Sequence, residues 1–117
     1  MSQGRRPERV AEAMREVISE LLLHEVKDPR ISMVTITRVD VAPDLRHAKV
    51  YFTCSGDDAS RQRTAAGLAR AAGFLRSQLT RQLQLRYAPE IRFILDRSLE
   101  EADKLAEALR KIGPSEE

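Results

Sequence analysis

The sequence has little of what several classes of protein depend on. It contains one cysteine, Cys54, and no tryptophan, and only 4% of its residues are aromatic. A lone cysteine cannot form an internal disulfide, which agrees with a reducing compartment. No apolar run approaches the roughly 18 residues that a membrane-spanning helix needs, and residues 1–6 lack the apolar stretch of a signal peptide. We therefore expect a cytoplasmic protein that makes no membrane contact.

Motifs for common enzyme chemistry are also missing. The sequence has no Gly-x-x-x-x-Gly-Lys-Ser/Thr loop and no dinucleotide-binding fingerprint. His24 and His47 fall in different predicted elements, and no His/Cys/Asp cluster has metal-ligand spacing. Cys54 alternates with Val50 and Phe52, which is typical of a core residue rather than a nucleophile. We expect no enzyme activity, no catalytic residue, no bound metal and no cofactor.

Positive charge is concentrated in one segment of a nearly neutral chain. The net charge is +2, but residues 61–92 contain seven arginines and a single acid, Glu90. Residues 1–97 carry +5 and residues 98–117 carry −3. This asymmetry indicates a polyanionic partner, with nucleic acid the leading candidate and an ordinary solvated helix the alternative. The acidic C-terminal segment should lie away from the polyanion.

Hydrophobic spacing predicts helices and strands in alternation within one domain. Two antiparallel strands should follow a first helix, and a third strand should open after Pro89. A second helix should break at Ala71-Ala72-Gly73, where glycine permits a close backbone approach, before a third helix continues. The predicted order is a helix at about residues 6–26, strands within 31–54, helices at about 59–70 and 74–85, a strand after 89, and a helix from Ser98 to Gly113-Pro114.

The helix ends and faces can also be predicted. The aspartates of Ser55-Gly56-Asp57-Asp58 should cap the second helix, and Ser98 with Glu101 matches a capping box. If the second and third helices formed one rod, Leu68, Ala72, Leu75, Leu79 and Leu83 would share a face, with Arg63, Arg70 and Arg81 opposite. The apolar stripe of the last helix should pack on its own domain; it comprises Ala102, Leu105, Leu109 and Ile112.

This order resembles the type II KH fold, an RNA-binding module with a Gly-x-x-Gly loop between two helices. The short first connection favours a hairpin, and the helical crossover favours parallel pairing of the third strand. We therefore expect an α+β domain with a three-stranded mixed sheet and helices on one face. No two glycines are three residues apart, so the Ala-x-Gly kink at Ala71-Ala72-Gly73 stands in place of the loop.

Several segments together carry a closer resemblance. They are Val26–Ile31, Asp44–Tyr51, Ala71–Arg76, Leu85–Phe93 and Asp96–Ser98. In this order, from Arg5 to Ile112, they are similar to the ribosome-binding factor A family of bacterial assembly factors. The resemblance implies binding to the free small ribosomal subunit late in maturation, contact with its ribosomal RNA near the unprocessed 5′ end, and support for growth in the cold.

The domain follows from these observations, and its partners and role are what the resemblance implies. We expect one KH-like RNA-binding domain over residues 5–112, disordered ends at 1–4 and 113–117, and a monomer. The partners should be the small ribosomal subunit and its ribosomal RNA, together with ribosomal proteins or other maturation factors. The protein should assist processing of the 5′ end without catalysing it.

Arginines are the main candidates for RNA contact, because guanidinium groups suit bidentate binding of phosphate. Arg70, Arg76 and Arg81 flank the predicted kink. The further candidates are Arg63, Arg86, Arg5, Arg6, Arg9, Arg46 and Lys49. A solvated helix start is the alternative for Arg5, Arg6 and Arg9, and pairing with Asp40 or Asp44 is the alternative for Arg46 and Lys49. Arg30 should pair locally with an acid.

The aromatic residues do not favour base stacking, because the phenylalanines fall mainly at predicted core positions. Recognition should therefore depend on phosphates and RNA shape. Two alternatives remain for the function. One is a metal-dependent RNA-processing nuclease that uses Asp40, Asp44 and Asp96. The other is a protein–protein adaptor that uses the C-terminal helix without direct RNA contact.

Overall fold

Six elements follow one another along the chain in the computed structural model, which describes residues 7–31 and 33–112. They are α1 (Pro7–His24), β1 (Thr35–Val41), β2 (His47–Thr53), α2 (Asp58–Gln82), β3 (Glu90–Leu95) and α3 (Ser98–Ile112). The predicted α+β class is confirmed. The chain ends predicted to be disordered, with Arg5, Arg6 and the Gly113-Pro114 stop, lie outside the described residues.

The sheet has the order β1-β2-β3. β1 pairs with β2 antiparallel, and β2 pairs with β3 parallel after the crossover through α2. The hairpin and the parallel return of the third strand are therefore as predicted. Pro89 is fully buried directly before β3, a position where its missing N–H removes no ladder bond.

One face of the sheet is covered, with α1 packed mainly on β1 and α2 mainly on β3. Alternating residues of the strands meet apolar residues of both helices, and Phe52 packs edge-to-face on Phe93 with ring centroids 6.4 Å apart. The buried hydrophobic residues are Val10, Met14, Ile18, Leu21, Ile36, Val39, Ala48, Val50, Phe52, Leu68, Leu75 and Leu79. Among the described residues, no helix combines the length and hydropathy needed to cross a membrane.

The predicted break at Ala71-Ala72-Gly73 is wrong, because α2 is one continuous helix of 25 residues. A glycine inside a helix costs only about 1 kcal/mol relative to alanine, and the strong helix formers around Gly73 outweigh it. A Cβ added to Gly73 would meet no atom within 4 Å, so no close approach within the chain explains this glycine. Gly73 also does not have the positive φ that Gly56 adopts.

The close approach occurs at Gly67, one of the buried residues of α2. A Cβ there would lie 2.9 Å from Cγ1 of Ile31 and 3.2 Å from Cβ of Arg30. The Thr64 hydroxyl, also buried, donates to the Arg30 carbonyl at 3.1 Å. The loop after α1 thus packs against α2 at Gly67 and Thr64.

The expected packing of α3 on its own domain is also wrong. Every residue from Glu101 to Ile112 is exposed, and Leu105 and Ile112 keep 61% and 73% of their surface. The link to the body is at the start of the helix, where Arg61 and Glu100 form an ion pair at 3.0 Å. Periodicity predicted the amphipathic stripe correctly, but it does not determine what covers that stripe.

One of the two predicted helix caps is confirmed. Asp57 caps α2 by accepting the Ser60 N–H at 2.9 Å. At α3, Asp96 accepts both the N–H and the hydroxyl of Ser98, at 2.9 and 2.6 Å. The Ser98 hydroxyl is therefore used as a donor to Asp96 and does not form the predicted capping box with Glu101.

Candidate nucleic-acid interface

The outward face of α2 is the most basic helical surface among the described residues. Arg63, Arg70 and Arg81 are exposed on it, while Leu68 and Leu79 are buried on the opposite face. The division of α2 into a core face and a charged face is therefore confirmed. At 1.5 Å per residue, Arg63 and Arg81 are about 27 Å apart along the helix axis. A cationic strip of that length suits an extended polyanion.

Small residues separate the arginines on this face. Gly73 and Ser77 are exposed between Arg70 and Arg81, and they line a shallow groove of about 510 Å³ with Thr80. Because Gly73 has no side chain and nothing else occupies that space, the helix backbone is accessible there. A bulky partner can approach α2 closely in the interval between the two cations.

Arg76 does not share the exposure of the other three. Its Nε donates to the Pro89 carbonyl at 2.8 Å, and its Nη2 donates to the Ala88 carbonyl at 3.3 Å. The side chain is half-buried between α2 and the loop before β3. Arg76 therefore holds this loop, a structural role that the sequence pattern did not reveal.

A second basic cluster lies at the loop before β3. The guanidinium of Arg46 lies 4.0 Å from the ring centroid of Tyr87, and that of Arg86 lies 5.5 Å from it. Tyr87 is 45% exposed. Arg46 donates only its backbone N–H to Asp44, so its guanidinium is not used in the predicted acid pairing. The structure thus brings Arg46 and Arg86 together around one aromatic ring.

The remaining candidates lie elsewhere. Lys49 is on the uncovered face of the sheet, opposite Asp40 on β1 and Arg92 on β3. Arg9 is exposed in the first turn of α1. Asp40 pairs with Arg38 at 3.3 Å, and the Arg38 guanidinium lies 4.0 Å from the ring of Tyr51, which is half-buried.

Phe74 is the residue that the sequence-based interpretation missed. The sequence predicts core positions for most of the phenylalanines, yet 42% of the surface of Phe74 is exposed. Phe74 lines an open groove of about 250 Å³ with Val26, Lys27, Arg70 and Ala71; Glu25 and Asp28 complete its lining. The signal was available, since Phe74 falls four residues after Arg70 and hence on the charged face of a continuous helix.

Asp28, one of the two acids that line this groove, is strongly paired. Arg30 donates to the Asp28 carboxylate through Nε at 3.0 Å and Nη2 at 2.6 Å. These bonds, together with the Arg30 N–H, lower the pKa of Asp28 to about 2, and the charge of Arg70 acts in the same direction. The local pairing predicted for Arg30 is confirmed.

The three aspartates of the nuclease alternative do not form a metal site. Within residues 7–31 and 33–112, no group of three His, Cys, Asp or Glu side chains is arranged to hold a metal ion. Asp40 pairs with Arg38, and Asp44 accepts the backbone N–H of Arg46. Asp96 accepts hydrogen bonds from Ser98 and Thr37, which lower its pKa to about 2.

Comparison with known proteins gives one consistent result. The family model described as ribosome-binding factor A matches residues 6–109. A ribosome-binding factor A from Desulforamulus reducens is 46% identical over 111 residues, which are 95% of this chain and 92% of that protein.

Solved structures agree with this match. The NMR structure of a Thermotoga maritima protein described as a ribosome binding factor A is 35% identical, with a TM-score of 0.67 over 74% of this chain and 82% of that chain. A homology model of the Thermus thermophilus ribosome binding factor A, fitted into a cryo-electron-microscopy map of a 30S complex, has a TM-score of 0.63 at 21% identity over 78% and 96% of the two chains. The chain belongs to the ribosome-binding factor A family.

Proposed function

We propose that this protein binds the free small ribosomal subunit and assists late maturation of its ribosomal RNA, including processing of the 5′ end, without catalysing it. Membership of the family supports a ribosome-binding role. The Thermus thermophilus relative, which has the same fold, was placed in a 30S complex. Action in the cytoplasm and support of growth in the cold are part of the same proposal.

The outward face of α2 is the observation that carries the proposal. It combines the exposed Arg63, Arg70 and Arg81 with the bare backbone at Gly73. Guanidinium groups bind phosphate bidentately, and releasing counterions from the RNA makes such binding favourable. We therefore assign the primary RNA contact to this face.

The other basic residues extend this contact in the proposal. Arg86 and Arg46, stacked on Tyr87, continue the basic surface near the loop that Arg76 holds. Arg9 adds charge at the start of α1, and Lys49 does so on the uncovered sheet face; Arg5 and Arg6, outside the described residues, remain candidates from the sequence. Arg76 contributes by fixing the loop rather than by binding phosphate with the two N–H groups that it donates to carbonyls.

Sedimentation of cell extract tests the proposal. At low salt the protein should travel with free or precursor small subunits and not with whole ribosomes, because its proposed role is in maturation of the free subunit. Purified protein mixed with purified small subunits should behave in the same way. A protein confined to the soluble fraction at low salt in both experiments would contradict the proposal.

Incubation with precursor ribosomal RNA tests the absence of catalysis. The carboxylates of Asp40, Asp44 and Asp96 are used in separate structural contacts. Purified protein with Mg²⁺ should therefore leave the RNA intact. Specific cuts that disappear in Asp40→Ala or Asp96→Ala would favour the nuclease alternative instead.

A further inference from the structure

An exposed aromatic ring stands among cations on the proposed RNA-binding face. Phe74 is 42% exposed, and it shares a groove with the apolar residues Val26 and Ala71 and with the cationic residues Arg70 and Lys27. The groove holds about 250 Å³, whereas a water molecule takes roughly 30 Å³. It therefore has room for a planar ring.

The charges around the groove favour binding of an anion near Arg70 and Lys27. Arg70 and Lys27 are exposed. Of the two acids in the lining, Asp28 is neutralised by two hydrogen bonds from the Arg30 guanidinium, which leaves Glu25 as the acid without an ion pair among the described residues. An apolar aromatic surface next to a pair of cations matches a nucleotide, whose base stacks and whose phosphate binds cations.

We infer that this groove is a subsite for one unpaired nucleotide, whose base stacks on Phe74 while its phosphate binds Arg70 and Lys27. This inference rests on the proposed function and adds a base contact to a face otherwise made of phosphate contacts. The bare backbone at Gly73, one residue before Phe74, lets the strand continue close to the helix toward Arg81.

Affinity for purified free small subunits tests the subsite. Stacking of a base on an aromatic residue contributes about 1–3 kcal/mol, so Phe74→Ala should weaken binding by about 5- to 150-fold. Phe74→Leu, which keeps apolar volume but loses the aromatic face, should weaken it similarly. Phe74→Tyr restores the aromatic face and should recover most of the affinity that Phe74→Leu loses. Thermal unfolding checks that all three variants fold.

Salt dependence separates stacking from charge. The Phe74→Ala variant should keep the original slope of log affinity against log salt, because no cation is lost. Arg70→Ala should flatten that slope by about 0.7, the value for one phosphate contact on a single strand. Ultraviolet cross-linking of the complex should join the peptide that contains Phe74 to a ribosomal RNA nucleotide.

The outcomes that overturn the subsite differ from those that overturn the proposed function. If the original chain binds small subunits and Phe74→Ala binds equally well, the subsite is wrong and the proposed function stands. If the Phe74 peptide cross-links to a ribosomal protein instead of RNA, the groove binds a protein side chain. If the original chain does not bind small subunits at all, the proposed function itself fails.

Discussion

The Nε atom of Arg76 lies 2.8 Å from the carbonyl oxygen of Pro89 and joins the middle of α2 to the start of β3. Pro89 is fully buried, and the neighbouring Ala88 carbonyl accepts a second hydrogen bond from the same guanidinium. An arginine from the basic segment of the sequence thus fixes the loop through which the chain enters its parallel strand.

Replacing Arg76 should therefore destabilise the fold. Hydrogen bonds from charged donors contribute about 1.5–3 kcal/mol, and partial exposure reduces this, so Arg76→Ala should lower the free energy of unfolding by about 1–2 kcal/mol. Arg81→Ala, on the exposed face of the same helix, is the matched control and should change it by about 0.5 kcal/mol or less. Urea unfolding measures both. Equal, small effects would show that the loop does not depend on Arg76.

The two glycines of α2 should respond to alanine with opposite signs. At Gly67 the new methyl group would lie 2.9 Å from Ile31 Cγ1, so the docked loop has to move, and overpacking of this kind costs about 1–3 kcal/mol. At Gly73 the methyl group meets nothing, and Gly73→Ala should raise the free energy of unfolding by about 0.5–1 kcal/mol.

Unfolding of the two variants side by side checks this prediction, and subunit binding adds a second measurement. Gly73→Val, with a bulkier side chain, should weaken binding if RNA approaches the bare backbone there. A Gly67→Ala protein as stable as the original would contradict the close docking of the loop. Undiminished binding by Gly73→Val would mean that the partner does not approach this turn.

The sequence predicted the two faces of α2 better than it predicted the continuity of the helix. The positions of Leu68 and Leu75 relative to Arg70 follow from helical periodicity alone, so they were predictable. Whether the helix continues through Gly73 depends on two free energies, the cost of a glycine in a helix and the stabilisation from packing of the surrounding residues. The packing depends on tertiary contacts, which helical periodicity does not describe. The position of Gly73 between two apolar runs predicted a break of the helix there. Nothing in the sequence indicated that Gly67 is the glycine that contacts Arg30 and Ile31.

The candidate nucleic-acid interface shows the same limit of prediction from sequence, since tertiary contacts decide the role of some of its residues. Charge clustering indicated the arginines of the α2 face, but it did not distinguish Arg76, whose hydrogen-bond partners lie 12 and 13 residues away in the chain. The exposure of Phe74 was not predicted, because the assumed break at Ala71-Ala72-Gly73 removed the helical register that relates Phe74 to Arg70. A continuous helix would have placed it beside Arg70 on the charged face.

Stability should decline in acid through two aspartates. The pKa values of Asp28 and Asp96 are lowered from 3.8 to about 2 by hydrogen bonds to Arg30 and to Ser98 and Thr37. A folded-state pKa below the unfolded value stabilises the fold above about pH 4, and this contribution is lost as the pH falls toward about 2. The double variant Asp28→Asn, Asp96→Asn should therefore lose less stability over this interval.

Urea unfolding at several pH values between about 4 and 2 measures the difference. Asparagine keeps an oxygen that can accept the Ser98 N–H, so the cap of α3 is retained while the charge is removed. Asp103→Asn on exposed α3 is a control for the removal of a carboxylate outside these two hydrogen-bonded sites. Parallel pH profiles for the double variant and the original chain would contradict the prediction.

The apolar stripe of α3 should contribute little to the stability of the isolated chain. Leu105 keeps 61% of its surface, so Leu105→Ala should change the free energy of unfolding by about 0.5 kcal/mol or less. Leu79→Ala in α2 is the matched buried control and should cost about 2–5 kcal/mol. A loss of that size from Leu105→Ala would mean that α3 packs on the body after all.

Charge on the α2 face should determine the salt dependence of subunit binding. The variant Arg70→Ala, Arg81→Ala should weaken binding and flatten the slope of log affinity against log salt by about 1.4, at roughly 0.7 for each phosphate contact. The control variant Arg15→Ala, Arg110→Ala removes the same charge from residues that are paired with Glu12 and Glu107. It should leave the slope near its original value, and equal slopes for both variants would move the RNA contact away from this face.

The irregular pairing of β1 with β2 has a consequence for solubility. The register shifts between Ile36 and Arg38, so Ile36 and Val39 are both buried and Arg38 faces outward with Asp40. β1 lies at the edge of the sheet, where unpaired backbone groups invite strands from other molecules. A bulge twists such an edge, and adjacent charges repel an incoming strand. β1 is therefore a poor template for edge-to-edge pairing with a strand of another molecule.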